Sequence, residues 1–133
     1  MTEKEKNLLL KDLSARLVYG VLFMVPGISE PVELLAIKPK CDKPLEIDDG
    51  PDERSSTYRK LEECKPYLRS MSSLTSDELE EIMPYFDVLD ENYVPHEEWC
   101  YRGIDKFNEH HVDYRGLIPM GLALEAPEGM YNF

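Results

Sequence analysis

The first 27 residues change their apolar rhythm, and that change limits the fold more than any other feature of the chain. Leu9, Leu10, Leu13 and Leu17 recur at spacings of three and four, with charged side chains filling the positions between them. That spacing lays one apolar stripe along a helix over residues 3 to about 16. The run Leu17 to Val25 follows at once, rich in β-branched and aromatic residues and stopped by Pro26-Gly27. It reads as a strand and a turn. A helix with a single apolar stripe must bury it, and the neighbouring strand is the natural partner, so the expected class is α+β.

Two further strands are expected at Val32 to Ile37 and Leu45 to Ile47, each bounded by proline, glycine or aspartate. Together they suggest a small antiparallel three-stranded sheet, a meander. Residues 48–57, with Asp48-Asp49-Gly50-Pro51-Asp52 and Ser55-Ser56, have the chemistry of a flexible surface loop. Tyr58 to Leu68 is ambiguous: Tyr58, Leu61 and Cys64 fit a helical turn, whereas Pro66 pushes Lys65 toward an extended backbone. Thr75 and Glu78 form a capping-box pattern, so a helix is expected over Ser76 to Met83, ending at Pro84. Another should begin at Pro95 and reach about Asn108, with Trp99, Ile104 and Phe107 inward. The expected architecture is thus one domain, 1–133, with an N-terminal helix, the three-stranded sheet and two to three C-terminal helices.

Composition narrows the class of function. At 133 residues with 42% hydrophobic content the chain can bury one ordinary core. Apolar runs such as Val21 to Val25 are too short for a membrane span, and Lys11, Asp12, Ser14 and Arg16 interrupt any secretory signal. Three cysteines without a paired spacing suit a reducing cytoplasm better than a disulfide framework. The net charge of −12 is unevenly placed. Residues 1–40 hold six basic against five acidic side chains, while residues 41–133 hold nine against twenty-two. Between Arg69 and Arg102 lie Asp77, Glu78, Glu80, Glu81, Asp87, Asp90, Glu91, Glu97 and Glu98 with no Lys or Arg. Such a face repels nucleic-acid phosphates and favours a basic protein partner, so no direct nucleic-acid binding is expected.

Several residues carry candidate chemistry. His96 and Cys100 lie four apart on the third expected helix, and His110, His111 and Asp113 follow, a set of zinc-ligand types. No second local ligand pair accompanies them, and Cys41 and Cys64 stand alone, so packing and helix-end hydrogen bonding are the expected roles and no metal or cofactor is assigned. Cys100 lacks the surroundings of a catalytic nucleophile. Adjacent carboxylates such as Glu80-Glu81 and Glu97-Glu98 point apart on a helix and do not define an acid and a base. Asp113 is expected to cap a turn, Tyr114 to bury its ring and Arg115 to bridge to carboxylates. Gly116, Gly121 and Gly129 mark turns, and none completes a phosphate loop.

The C-terminal run His110-His111-Val112-Asp113-Tyr114-Arg115-Gly116-Leu117-Ile118, followed by Gly121-Leu122-Ala123-Leu124-Glu125-Ala126-Pro127-Glu128-Gly129-Met130-Tyr131, is particular in its side chains. Lys65-Pro66-Tyr67-Leu68-Arg69 with Met71-Ser72-Ser73, and Leu10-Lys11-Asp12-Leu13 with Arg16-Leu17 and Tyr19-Gly20-Val21, are two further blocks of the same kind. On these blocks the chain resembles a family of small uncharacterised proteins from gut Bacteroidetes and their prophages, with a looser match from about Gly27 to Glu62. That family has no assigned activity, so the resemblance implies a setting without a mechanism. The expected function is a non-enzymatic interaction or accessory protein of a prophage or mobile element. Its partner-binding candidates are Asp77, Glu78, Glu80, Glu81, Tyr114 and Arg115, and a sharper version has the acidic row imitate nucleic-acid phosphates. The alternative is a small metal-dependent hydrolase using His96, Cys100, His110, His111 and Asp113. A monomer fits the size, and Tyr131 and Phe133 are the residues that would close a homodimer.

Overall fold

A computed structural model describes residues 1–48, 56–82, 84 and 97–131, with the backbone alone for 97–101. Helix α1 spans Glu3–Arg16. A reciprocal box starts it: Glu5 N donates to Thr2 Oγ1 and Thr2 N to Glu5 Oε1, each at 3.1 Å. Leu9 and Leu13 are fully buried on its inner face. The chain then tightens into a 3₁₀ turn at Leu17–Tyr19 and reverses at Gly20, whose φ of +76° is left-handed and suits a residue without Cβ. The strand expected from Leu17 therefore begins only at Leu22.

Strands β1 (Leu22–Met24), β2 (Val32–Ile37), β3 (Leu45–Asp48), β4 (Thr57–Arg59), β5 (Lys65–Leu68) and β6 (Leu124–Glu125) form one sheet in the order β4-β3-β2-β1-β5-β6. Pairing is antiparallel from β4 through to β5 and parallel between β5 and β6. The expected three-stranded sheet is therefore wrong: the sheet is six-stranded and mixed. Its α+β character and N-terminal helix stand. Three strands had weak local signals. β4 is a three-residue strand of polar and aromatic side chains, and Thr57 within it was expected to belong to the loop. β5 contains Pro66, which lacks the N–H of an ordinary ladder residue. Proline is accommodated because Pro66 faces Phe23 on one side while β6 pairs only from Tyr67 onward on the other. β6 is two residues long and exists only through its parallel contact with β5.

Alternate residues of β1 to β3 point inward, so Val21, Phe23, Val25, Leu34, Leu45 and Ile47 join Leu9, Leu13, Leu68 and Leu117 in the main core. A second cluster, Leu74, Ile82, Phe107 and Val112, fills the space between helices α2 (Ser76–Ile82) and α3 (Glu97–Glu109). The Thr75–Glu78 capping box starts α2, with Glu78 N donating to Thr75 Oγ1 at 3.2 Å and Thr75 N to Glu78 Oε1 at 2.9 Å. Phe107 is buried and Ile104 half-buried, as an inward face requires, while the side chain of Trp99 lies outside the described residues. Most of the 48–57 loop also lies outside them. Among the described residues no helix is long and apolar enough to cross a membrane.

Candidate functional site

Residues 110–118 leave α3 and tie the three parts of the molecule together. Arg69 N donates to the His111 carbonyl at 2.7 Å and Asp113 N returns a bond to the Arg69 carbonyl at 2.8 Å, extending β5 by a parallel bridge at Val112. Arg16, completely buried at the end of α1, gives Nη2 to the Val112 carbonyl at 2.6 Å. The same guanidinium holds Asp12 through Nε at 2.8 Å and Nη2 at 3.2 Å. Arg115 adds a bond from Nε to Asp12 Oδ1 at 3.1 Å, so one buried carboxylate serves two arginines. Tyr114 lies beneath both: the guanidinium carbons of Arg16 and Arg115 sit 5.2 Å and 5.0 Å from its ring centroid, within cation–π range. Its hydroxyl donates to Asn108 Oδ1 at 3.0 Å. Asp113 closes the following turn, accepting from Leu117 N at 2.8 Å and Ile118 N at 2.9 Å. Tyr114 and Arg115 thus belong to an internal network and border neither cleft described below.

The two adjacent histidines serve different clefts. His110 borders an open cleft of about 690 Å³ between the start of α2 and the C-terminal segment, lined also by Arg69, Asp77, Glu78, Glu81, Glu125 and Glu128. Its Nδ1 is 3.1 Å from Glu78 Oε2 and its Nε2 3.4 Å from Glu81 Oε2. Arg69 grips Glu78 with both terminal nitrogens, at 2.6 Å and 2.7 Å, and that guanidinium is the main reason the carboxyl is pulled down to about 2. Lys106 holds Glu81 at 2.7 Å and thereby lowers its carboxyl below the usual range. Asp77, Glu125 and Glu128, by contrast, have no ion-pair partner among the described residues. The cleft has an acidic lining, because five carboxylates border it and its arginine, Arg69, already serves Glu78. Glu80, exposed on the same helix, is not part of that lining.

His111 borders a second cleft of about 480 Å³ with Tyr19, Gly20, Leu22, Glu33 and Tyr131. Its backbone is left-handed at φ 58°, and its ring stacks on Tyr131 at 3.8 Å between centroids. Burial, helped by the positive charge of Arg16, pushes the imidazole down to about 4. Tyr131 passes its hydroxyl into the sheet, accepting from Leu22 N at 2.9 Å and donating to the Tyr67 carbonyl at 2.7 Å. Burial raises its phenol to about 12. This aromatic residue is therefore spent on its own chain, and Phe133 lies outside the described residues.

Of the metal-ligand candidates, His96 and the Cys100 side chain lie outside the described residues. His110 and His111 turn to separate clefts, and Asp113 is occupied by backbone amides. No group of three or more His, Cys, Asp or Glu placed to hold a metal ion occurs among the described residues. Cys64 is buried, with its thiol pushed up to about 12 by that burial, and Cys41 is exposed beside Lys38 and Lys43. Sequence reasoning missed the cleft residues Arg69, Glu125 and Glu128, and Tyr131 as an internal bridge. Arg69 reaches α2 from the end of β5, whereas only the tertiary placement of β6 brings Glu125 and Glu128 to the same cleft. No protein-family model, curated protein or solved structure matches the chain.

Proposed function

We propose that this chain is a non-enzymatic interaction protein that takes a lysine- or arginine-bearing segment of another protein in the acidic cleft between α2 and the C-terminal segment. The observation that carries this reading is the trio Asp77, Glu125 and Glu128, carboxylates on an open cleft without an ion-pair partner among the described residues. A partner's cation would find preplaced negative charge there and lose little water on arrival, which favours fast, selective encounter with basic surfaces. The acidic exterior of α2 extends the same field, and imitation of a phosphate row is the special case in which that partner is a nucleic-acid-binding protein. We further propose membership of the Bacteroidetes prophage family that the chain resembles, and a cytoplasmic setting. Neither rests on the cleft.

The test is titration of a short Lys/Arg peptide into the full chain by calorimetry, at low salt and again near 0.15 M, where the Debye length shortens to ~8 Å. Binding should weaken several-fold with salt and again in the Asp77→Asn/Glu128→Gln variant. Binding unaffected by salt and by both substitutions would overturn the reading, as would no binding at low salt.

A further inference from the structure

Among the described residues, the side-chain hydrogen bonds that hold the segment after β6 to the body are those of Tyr131. Ala126 N donates to the Leu68 carbonyl at 2.7 Å, the last main-chain link to the sheet among the described residues. Beyond it, Pro127, Glu128 and Gly129 are exposed and Met130 half-buried. The bond made within this stretch, Met130 N to the Pro127 carbonyl at 3.1 Å, is internal, and among the described residues Pro127–Met130 hydrogen-bond to nothing else. Tyr131 then returns to the body and docks.

Its docking place is a gap in the sheet. Phe23 faces Pro66 and Met24 faces Lys65, so continuing the register by one residue sets Leu22 opposite Tyr67. The Tyr131 hydroxyl lies between them, taking the Leu22 N–H and passing its own hydrogen to the Tyr67 carbonyl. A side chain from the tail thus completes a rung between two backbone strands. Tyr131 also borders both clefts, and Gly129 and Met130 each border one, so this strap is the wall that separates them.

We infer that Pro127–Tyr131 is a releasable strap, a built-in occupant whose undocking joins the two clefts into one groove running from α2 to β1. Among the described residues two hydrogen bonds, one ring stack and the partial burial of Tyr131 and Met130 hold it, and ordering a five-residue segment opposes them. Contacts so few place local release well below global unfolding in cost. Release bares the Leu22 N–H and the Tyr67 carbonyl, a donor and an acceptor that an incoming segment would have to satisfy. The strap therefore competes with a segment that enters the groove from the β1 side, and because it carries Glu128 its release also alters the acidic cleft.

Amide hydrogen exchange of the full chain, resolved by NMR, tests this. The Leu22 amide should exchange at least tenfold faster than that of Leu34, which donates to Val21 in the same sheet. In Tyr131→Phe, which keeps the ring and removes both hydroxyl bonds, Leu22 should accelerate by about a further tenfold, toward the low end of what two net hydrogen bonds are worth, while Leu34 changes by much less. Equal protection of Leu22 and Leu34 in the natural chain would overturn the inference whatever the variant does. So would a fast Leu22 amide that Tyr131→Phe leaves unchanged.

Discussion

Replacing Asp12 by alanine should be among the most damaging single changes outside the apolar core. Asp12 and Arg16 are both 0% exposed, and the carboxylate accepts three hydrogen bonds from two guanidiniums. Asp12→Ala leaves the Arg16 charge in place with the Val112 carbonyl and the Tyr114 ring face as its remaining company. Arg115 suffers less, because its side chain is 22% exposed and can be hydrated. Stranding one buried charge costs about 3–5 kcal/mol, a large part of the roughly 5–15 kcal/mol that holds a domain folded. Arg16→Met added to Asp12→Ala removes the stranded charge. It leaves chiefly an unmet Val112 carbonyl, at about 1–3 kcal/mol. The double variant should therefore be more stable than Asp12→Ala alone, by about 2 kcal/mol. Urea unfolding at neutral pH, followed by circular dichroism, measures the natural chain, Asp12→Ala, Arg16→Met and the double variant, and thermal midpoints serve if a variant is already unfolded without urea. A loss below ~1 kcal/mol for Asp12→Ala, with simple additivity in the pair, would refute the argument that these charges are dry and coupled.

Three further outcomes are expected. Glu78 is held down to about 2 from an ordinary 4.5, so its contribution is complete above the ordinary value and is lost as pH falls toward about 2. Glu78→Gln should lower stability at neutral pH by about 1.5–3 kcal/mol and flatten that acid limb, which a urea midpoint series across the window will show. His111, held down to about 4 from 6.5, stays neutral in the fold while the unfolded chain takes up a proton, so stability should fall as pH drops between those values. An NMR titration that finds the His111 imidazole charged at pH 6 would contradict this. Asp113→Ala removes the acceptor of two amides and should cost about 1–3 kcal/mol in the same urea assay, with Asp113→Asn recovering part of it.

Elements with a strong local signal were legible in the sequence. The leucine spacing of α1, the Thr75–Glu78 box of α2 and the apolar alternation of β1 to β3 each carry their own periodicity or cap, and each occurs where expected within a few residues. What failed was the extent of the sheet. β5 and β6 are brought together by residues more than fifty positions apart, and a two-residue strand has no period to detect. The 3₁₀ turn at Leu17–Tyr19 was hidden for a related reason: an apolar run can wind or extend, and the choice is made by Gly20 and by Arg16 turning inward. Similarly the acidic row of α2 was visible, whereas the cleft it lines was not, because Glu125 and Glu128 enter through β6.

The most distinctive stretch of sequence turns out to be architectural. His111 offers its carbonyl to Arg69, Val112 offers its own to Arg16, Asp113 turns the chain, Tyr114 supports two guanidiniums and Arg115 shares Asp12. The opposite ends of these contacts are Asp12 and Arg16 of α1 and the backbone of Arg69 after β5. Replacing Asp12, Arg16 or Asp113 strands a buried charge or hydrogen-bonding group, whereas the bonds of Arg69 to residues 111 and 113 are made by its backbone and survive a side-chain change. A network of such residues fixes how the elements are joined. It says little about what is bound, since the side chains that face solvent in the cleft, Asp77 and Glu128, can vary without disturbing that network. The exposed carboxylates of the cleft and the buried network are therefore separable in this chain. Asp77→Asn/Glu128→Gln should leave the unfolding midpoint within about 0.5 kcal/mol of the natural chain while weakening capture of a basic peptide, and Asp12→Ala should lower stability first.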